Sequence, residues 1–251
     1  MDKLPIQKSV KHHLYAHTIY NKAMKNQQTL IDNRKVSLQV CSLQHAPLVI
    51  LIVNHQLVET VQKVCHSLDE NQPFHTLCFH DLNWDEDLSP WPHEPIVQKD
   101  DHFTGNAPEF LKTVEKAVEW ARTIVGPNTY TILSGYSMGG LFSLYAAYQS
   151  TQFDAIVCAS GSVWYPGFYE YATTHAMKGQ PRSIYLSLGR KESQTRNPYL
   201  SQTGIFMEKL QKFYKEIHIP CVLEWNPGNH FVNADLRLAK GIVWSLHQLN
   251  A

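Results

Sequence analysis

A serine in the middle of the chain, Ser137, has the sequence surroundings of a catalytic nucleophile. The segment Gly135–Gly140 reads Gly-Tyr-Ser-Met-Gly-Gly and fits the pattern G-x-S-x-G. It follows a β-type run and precedes a helix of small and apolar residues, the context that a nucleophile elbow requires. So tight a turn needs small flanking residues and projects the hydroxyl above the sheet edge at a helix N-terminus. The N–H of Met138 would be one oxyanion donor there.

A triad of this type needs an acid between the serine and the histidine along the chain. Six carboxylates lie in that interval: Asp154, Glu170, Glu192, Glu208, Glu216 and Glu224. Glu192 follows a predicted strand by a few residues, so it falls at the same sheet edge as Ser137. The other five precede a strand, lie on helices or lie within a strand. We therefore predict Glu192 as the acid, against the alternative of a solvated loop glutamate.

The candidate base is His230, in the loop that follows the last predicted strand. From that loop an imidazole can reach back over the sheet edge. The other histidines after Ser137 lie in or beside predicted helices. His230 would take the serine proton during attack on a carbonyl, and Glu192 would orient the imidazole and stabilise its cation. An acyl-enzyme would then be hydrolysed by water that the same histidine activates.

Alternating strands and helices are predicted to position these residues. Apolar runs predict strands at 48–53, 74–80, 130–134, 155–159, 183–188 and 220–225. Helical patterns cover about 59–69, 107–124, 138–149, 167–177, 198–216 and 233–249. Strands that are almost wholly apolar indicate a mostly parallel sheet with helices on both faces. Residues 13–20 and 35–40 alternate partly and predict an antiparallel hairpin at the N-terminal edge, while 81–106 is predicted to be a long surface loop.

Composition excludes several classes of function. The 251 residues carry 22 basic and 22 acidic side chains, so electrostatics give no reason to bind nucleic acid or an anionic membrane. The longest apolar run has six residues, against about 20 for a bilayer span. Five cysteines without a C-x-x-C pair suggest neither disulfides nor a zinc ribbon. With no signal-peptide pattern, we expect one cytoplasmic domain over 1–251, without cofactor or metal and of open oligomeric state.

Three further segments carry a resemblance to a known family. Ser160–Tyr165 reads Ser-Gly-Ser-Val-Trp-Tyr, Gly189-x-x-Glu192 follows the next strand, and residues 103–111 contain a glycine before a helix. With the elbow and His230, these resemble an esterase family of the α/β-hydrolase superfamily. That family includes enterochelin (siderophore) esterases, feruloyl esterases, S-formylglutathione hydrolases and mycolyltransferases. The resemblance to the family covers about residues 35–249, and residues 103–111 resemble its siderophore-esterase-like branch in particular. The resemblance implies an α/β-hydrolase fold and hydrolysis of a small-molecule carboxylic ester.

The chain departs from this family where the second oxyanion donor is expected. The family often has Asp-Gly or His-Gly after the strand at 48–53, but here the chain reads Asn54-His55-Gln56. By position Gln56 would be the donor, with His55 as the alternative. Trp164, Trp91 and Tyr136 are the predicted substrate contacts. An acyltransferase or a non-catalytic binding protein of the same fold remains the alternative function.

Overall fold

The computed structural model describes residues 25–127 and 129–250. Eight strands form the main sheet: β1 Lys25–Ile31, β2 Arg34–Val40, β3 Leu48–Ile52, β4 His75–Phe79, β7 Thr131–Tyr136, β8 Ala155–Ala159, β9 Ser183–Gly189 and β10 Cys221–Asn226. Their order across the sheet is β1-β2-β4-β3-β7-β8-β9-β10. Two short strands, β5 Pro92–His93 and β6 Phe103–Thr104, pair with each other outside it.

The main sheet is parallel except at its N-terminal edge, as the sequence predicts. Strand β2 pairs antiparallel with both β1 and β4, and the other neighbours are parallel. Strands β3, β4, β7, β8 and β9 are buried along their whole length, because helices cover both of their faces. The predicted strand over 13–20 lies outside the described residues, and the described partner of β2 is β1.

The helices divide between the two faces of the sheet. They are α1 His55–Leu68, α2 Trp84–Leu88, α3 Ala107–Val125, α4 Met138–Gln149, α5 Phe168–Thr174, α6 Thr203–Glu216 and α7 Ala234–His247. One apolar core joins α1 and α7 to the sheet, and a larger one joins α3, α4 and α6 to the opposite face. Helix α4 is apolar around its whole circumference and is accordingly buried over almost its full length.

The segment 81–106 is more ordered than its composition predicts. It contains helix α2 and the β5–β6 ribbon, and Asp87 is 1% exposed. Both carboxylate oxygens of Asp87 accept hydrogen bonds from Arg34 on β2, at 2.8 and 2.5 Å. The prediction of a surface loop over 81–106 is therefore wrong at Asp87, which is buried and whose charge is paired across 53 positions of sequence. This pair attaches the segment to the antiparallel edge of the sheet.

Among the residues that the structure describes, none of the helices combines the length and the apolar character that crossing a bilayer would need.

Candidate active site

Ser137 lies at the sharp turn between β7 and α4. Its backbone has φ 57° and ψ −123°, a left-handed conformation that a non-glycine residue adopts at a cost in strain. A Cβ on Gly135 would stand 2.1 Å from the Gly139 carbonyl oxygen, and one on Gly139 would stand 2.1 Å from that of Ile52. Both flanking positions therefore exclude any side chain. The strained turn presents the serine hydroxyl at the carboxyl edge of the sheet.

His230 reaches this hydroxyl from the loop after β10. Its Nε2 is 3.1 Å from Ser137 Oγ, across 93 positions of sequence. The backbone of the loop is held from below, because the Tyr136 hydroxyl donates to the His230 carbonyl at 2.5 Å. The His230 side chain is 30% exposed. The imidazole can thus meet a ligand while its main chain stays anchored.

Glu192 completes the chain of contacts on the far side of the imidazole. Its Oε2 is 2.8 Å from His230 Nδ1. A carboxylate can only accept, so Nδ1 carries the proton and the Nε2 lone pair faces Ser137 Oγ. Strand β9 ends at Gly189, whose N–H donates to Glu192 Oε1 at 2.6 Å. This turn sets the carboxylate at the sheet edge where Ser137 and His230 meet.

Arg237 on α7 also supports the site, although no sequence pattern predicts this role. The residue is 1% exposed. Its Nη1 donates to Glu192 Oε1 at 2.6 Å, and its Nη2 donates to the carbonyls of Pro227 and Asn229 at 2.8 Å each. One guanidinium thus holds both the acid and the loop that carries His230. An arginine on an amphipathic helix is normally a surface residue, so the sequence contained no signal for this role.

Glu192 is kept ionised by its hydrogen bonds. Burial of the carboxyl opposes ionisation, but donors from His230, the Gly189 N–H and Ser160 together hold the pKa of Glu192 below its ordinary value. The Ser160 hydroxyl donates to Oε1 at 2.9 Å. Oε1 thus receives three donors, which leaves Oε2 to His230. An ionised acid in this position favours the protonated form of the imidazole during proton transfer.

The two predicted oxyanion donors are placed differently. Met138 is the first residue of α4, where backbone N–H groups have no partner within the helix, so its N–H is available beside Ser137. Gln56 lies on the first turn of α1, and its N–H donates to Asn54 Oδ1 at 3.1 Å. It lines a second cleft rather than the one that contains Ser137. The oxyanion role of both residues stays a prediction.

A cleft of about 460 Å³ opens beside the serine. Besides the triad residues, its lining includes four aromatic and two acidic side chains: Trp84, Phe103, Trp164, Phe231, Asp85 and Asp101. Of the three predicted substrate contacts, Trp164 lines the cleft. Trp91 instead packs between Tyr165 and Tyr171 and donates its Nε1–H to the Pro166 carbonyl. Tyr136 lies beneath the His230 loop.

Ser162 is a further polar group at the serine. Its Oγ is 3.5 Å from Ser137 Oγ, and its backbone N–H donates to the Ser137 carbonyl at 3.0 Å. Ser160 and Ser162 both belong to the Ser-Gly-Ser stretch that carried the family resemblance. Ser160 contacts Glu192 and Ser162 contacts Ser137, so this stretch joins the two ends of the candidate site.

Comparison with known proteins finds similarity in structure rather than in sequence. No protein-family model matches the chain, and no curated protein is similar to it in sequence. An IroE-like serine hydrolase from Shewanella oneidensis has a TM-score of 0.70 and 16% identity, with 88% of this chain and 79% of that chain covered. The siderophore hydrolase EstA from Aspergillus nidulans has a TM-score of 0.69 and 20% identity, with 100% and 99% covered.

A third similar structure is the enterobactin esterase FES from Shigella flexneri in the presence of enterobactin. Its TM-score is 0.67 at 19% identity, over 90% of this chain and 59% of that longer chain. At these identities the likeness shows a shared fold. The expected α/β-hydrolase fold and the expected likeness to siderophore-esterase structures are both confirmed at that level.

Proposed function

We propose that this protein is a serine hydrolase that cleaves carboxylic esters of a small molecule through an acyl-enzyme. One observation carries the proposal: Ser137, His230 and Glu192 form a continuous chain of contacts, 3.1 and 2.8 Å long, at the carboxyl edge of the sheet. Nucleophile, base and orienting acid are the three parts that ester hydrolysis of this type requires. Solved structures of the same fold that are named as serine and siderophore hydrolases support it.

The geometry supports the following sequence of steps. His230 Nε2 takes the Ser137 proton as Oγ attacks the ester carbonyl, and the Met138 N–H stabilises the resulting oxyanion. The imidazolium then returns its proton to the departing alcohol, which leaves an acyl group on Ser137. His230 next removes a proton from water as the water oxygen adds to the acyl carbon. The imidazolium then protonates Ser137 Oγ as the bond to the acyl carbon breaks, which releases the acid and restores the serine. Glu192 holds the imidazole throughout.

The charged and aromatic side chains that line the cleft limit the class of ester that we propose as substrate. Asp85 and Asp101 line it, and among the described lining residues none has a positively charged side chain. Burial raises the pKa of Asp85, and the nearby carboxylates of Asp101 and Asp100 add to the rise, so this part of the wall disfavours added negative charge. The aromatic wall offers apolar contact. We therefore propose that the site hydrolyses uncharged esters faster than polyanionic ones. Siderophore-type esters are among the proposed substrates, because two similar structures are named siderophore hydrolases.

Substitution of the serine tests the reaction class. Ser137→Ala should abolish turnover of p-nitrophenyl acetate and remove labelling by a fluorophosphonate probe, with the wild-type adduct located on Ser137 by mass spectrometry. Ser201→Ala, which removes a hydroxyl that contacts the Pro198 carbonyl, serves as the matched control and should retain both. Turnover and labelling that persist in Ser137→Ala would reject the proposed nucleophile.

An ester panel then addresses the substrate and the competing function. The panel contains neutral and anionic esters of matched acyl length and a ferric siderophore ester. The neutral esters should be hydrolysed faster than the anionic ones. Product analysis with an added alcohol separates a hydrolase, which releases free acid, from an acyltransferase, which forms the new ester. Absence of a probe adduct on wild-type Ser137 would favour a non-catalytic binding protein.

A further inference from the structure

Three side chains with metal-ligating atoms meet at the edge of the sheet beside the second cleft. His55 lies on the first turn of α1, Cys78 lies near the end of β4 and His80 directly follows that strand. One nitrogen or sulfur atom from each lies within 4.8 Å of the corresponding atoms of the other two. Cys78 Sγ and His55 Nδ1 are 4.0 Å apart. The contact does not involve the triad residues.

The chain path explains why these groups converge. Residues two positions apart on a strand point to the same face, so the side chains of Cys78 and His80 share one face. Helix α1 packs against that face, as its Val58 and Cys65 in the same apolar core as Cys78 show. The helix therefore delivers His55 over the pair from its N-terminal end. Two independent elements supply the three groups, so the cluster is a product of the fold.

The spacing is compatible with a tetrahedral ion after small movements. Zinc–sulfur bonds of about 2.3 Å and zinc–nitrogen bonds of about 2.0–2.1 Å place tetrahedral ligand atoms roughly 3.3–3.6 Å apart. The observed separations therefore exceed those of a closed site by about 1.5 Å at most. The rings of His55 and His80 are in contact, with centroids 3.8 Å apart and planes tilted by 36°, and would turn apart on binding. His55 is exposed, so its side chain has room for this rotation.

Ser37 gives the cluster the outer support that histidine ligands usually have. Its Oγ lies 2.6 Å from His80 Nε2, and it stands directly opposite Cys78 in the β2–β4 pairing. If Nε2–H donates to this hydroxyl, the Nδ1 lone pair of His80 is free to bind a metal. Metal-bound histidines typically donate their second N–H in this way, which fixes the orientation of the ring.

We propose that His55, Cys78 and His80 bind one zinc ion, with Ser37 positioning His80 and a water molecule as the fourth ligand. A thiolate with two imidazoles is a donor set suited to zinc, whereas magnesium and calcium prefer oxygen ligands. The exposed His55 leaves an entry path from the second cleft, which Asn54 and Asp81 also line. This assignment departs from the metal-free expectation of the sequence analysis and does not depend on the proposed esterase activity.

Cobalt titration of the chelator-treated full chain tests the site. One equivalent of Co²⁺ should produce thiolate-to-cobalt absorption in the near ultraviolet, and added Zn²⁺ should abolish it by displacement. Zn²⁺ should also raise Tm, because an ion that binds the folded state stabilises it. Absence of the thiolate band, or binding of Co²⁺ with no zinc competition, would overturn the proposal.

Variants assign the ligands. Cys78→Ser should lose the thiolate band, whereas Cys221→Ser, at a buried cysteine on the far edge strand β10, should keep it. Ser37→Ala should weaken zinc affinity by about 10–100-fold, the usual range for a residue that supports a ligand. His55→Gln changes an exposed residue, so it keeps the test valid if Cys78→Ser fails to fold. His55→Gln should weaken zinc affinity more than Ser37→Ala does. The control variant His175→Gln, at another exposed histidine, should leave zinc affinity unchanged. Equal affinity in wild type and His55→Gln would reject the site.

Discussion

Two arginine–carboxylate pairs with similar burial of the acid are arranged for different purposes. In the pair at the active site, Arg237 contacts Oε1 of Glu192 with one nitrogen, and Oε2 is left to His230. In the pair at the antiparallel edge, Arg34 contacts both oxygens of Asp87. The acid side chains are 6% and 2% exposed. Burial alone therefore does not distinguish the carboxylate with the proposed catalytic role from the structural one.

The two pairs differ in how the two oxygens of each carboxylate are used. The Asn83 N–H also donates to Asp87 Oδ2 at 2.8 Å, so both oxygens of Asp87 serve to attach the 81–106 segment. Glu192 receives three donors on one oxygen and presents the other to a partly exposed imidazole. The second nitrogen of Arg237 is likewise used to hold the loop before His230. A divided set of hydrogen bonds thus positions the imidazole that we propose as the proton-transfer group.

The largest contrast should come from neutralising each acid. Glu192→Gln should lower kcat by roughly 10²–10⁴, because an amide that donates to Nδ1 favours the wrong imidazole tautomer. Asp87→Asn should leave kcat nearly unchanged and cost about 1.5–3 kcal/mol of folding stability, as expected for lost hydrogen bonds to a charged group. Ester kinetics and urea unfolding of both variants measure this contrast. A near-wild-type rate for Glu192→Gln would mean another acid or a serine–histidine dyad.

The second contrast is between the two arginines: the substitutions Arg237→Met and Arg34→Met should lower the free energy of unfolding by different amounts. Arg237→Met should cost about 3–5 kcal/mol, because it leaves a buried charge without its ionic partner. Arg34 is 26% exposed, so water can partly replace it, and Arg34→Met should cost less. Urea unfolding measures both. Arg237→Met should also lower kcat more than it raises KM and should alter the pH profile, since Glu192 and His230 lose a shared support. An unchanged pH profile would assign Arg237 a purely structural role.

The smallest effect concerns pH. The pKa of Glu192 is lowered in the folded state, so its contribution to stability is full above the ordinary glutamate pKa of about 4.3 and is lost as pH falls through the lower folded value. The difference in unfolding free energy between wild type and Glu192→Gln should be greatest near about pH 7 and should shrink below about pH 4. Urea titrations across this range check the sign, and a gap that widens on acidification would contradict it.

Local sequence was sufficient to predict the order of the elements along the chain and the strand–helix turn that carries Ser137, the proposed nucleophile. Periodicity predicts each described main-sheet strand from β2 onward and all helices except α2, with ends displaced by a few residues. Helix α6, for example, begins at Thr203 rather than at 198, because a short 3₁₀ turn precedes it. The turn at Ser137 could be predicted because its glycines avoid steric clashes within a segment of six residues. The position of His230 after the last strand was readable for a similar local reason.

Tertiary structure alone decided which arginine pairs with which acid, and that Arg237 joins the candidate active site. Arg237 and Glu192 are 45 positions apart, and Arg34 and Asp87 are 53 positions apart. Neither arginine differs in its local sequence from a solvated one. Burial of each depends on where the sheet order brings distant elements, and the same holds for the meeting of His55 with Cys78 and His80. Short-range sterics and periodicity depend on neighbouring residues and can be recognised in the sequence. The pairing of charges and metal ligands joins residues far apart in the chain, so it forms only when the strands assemble in register.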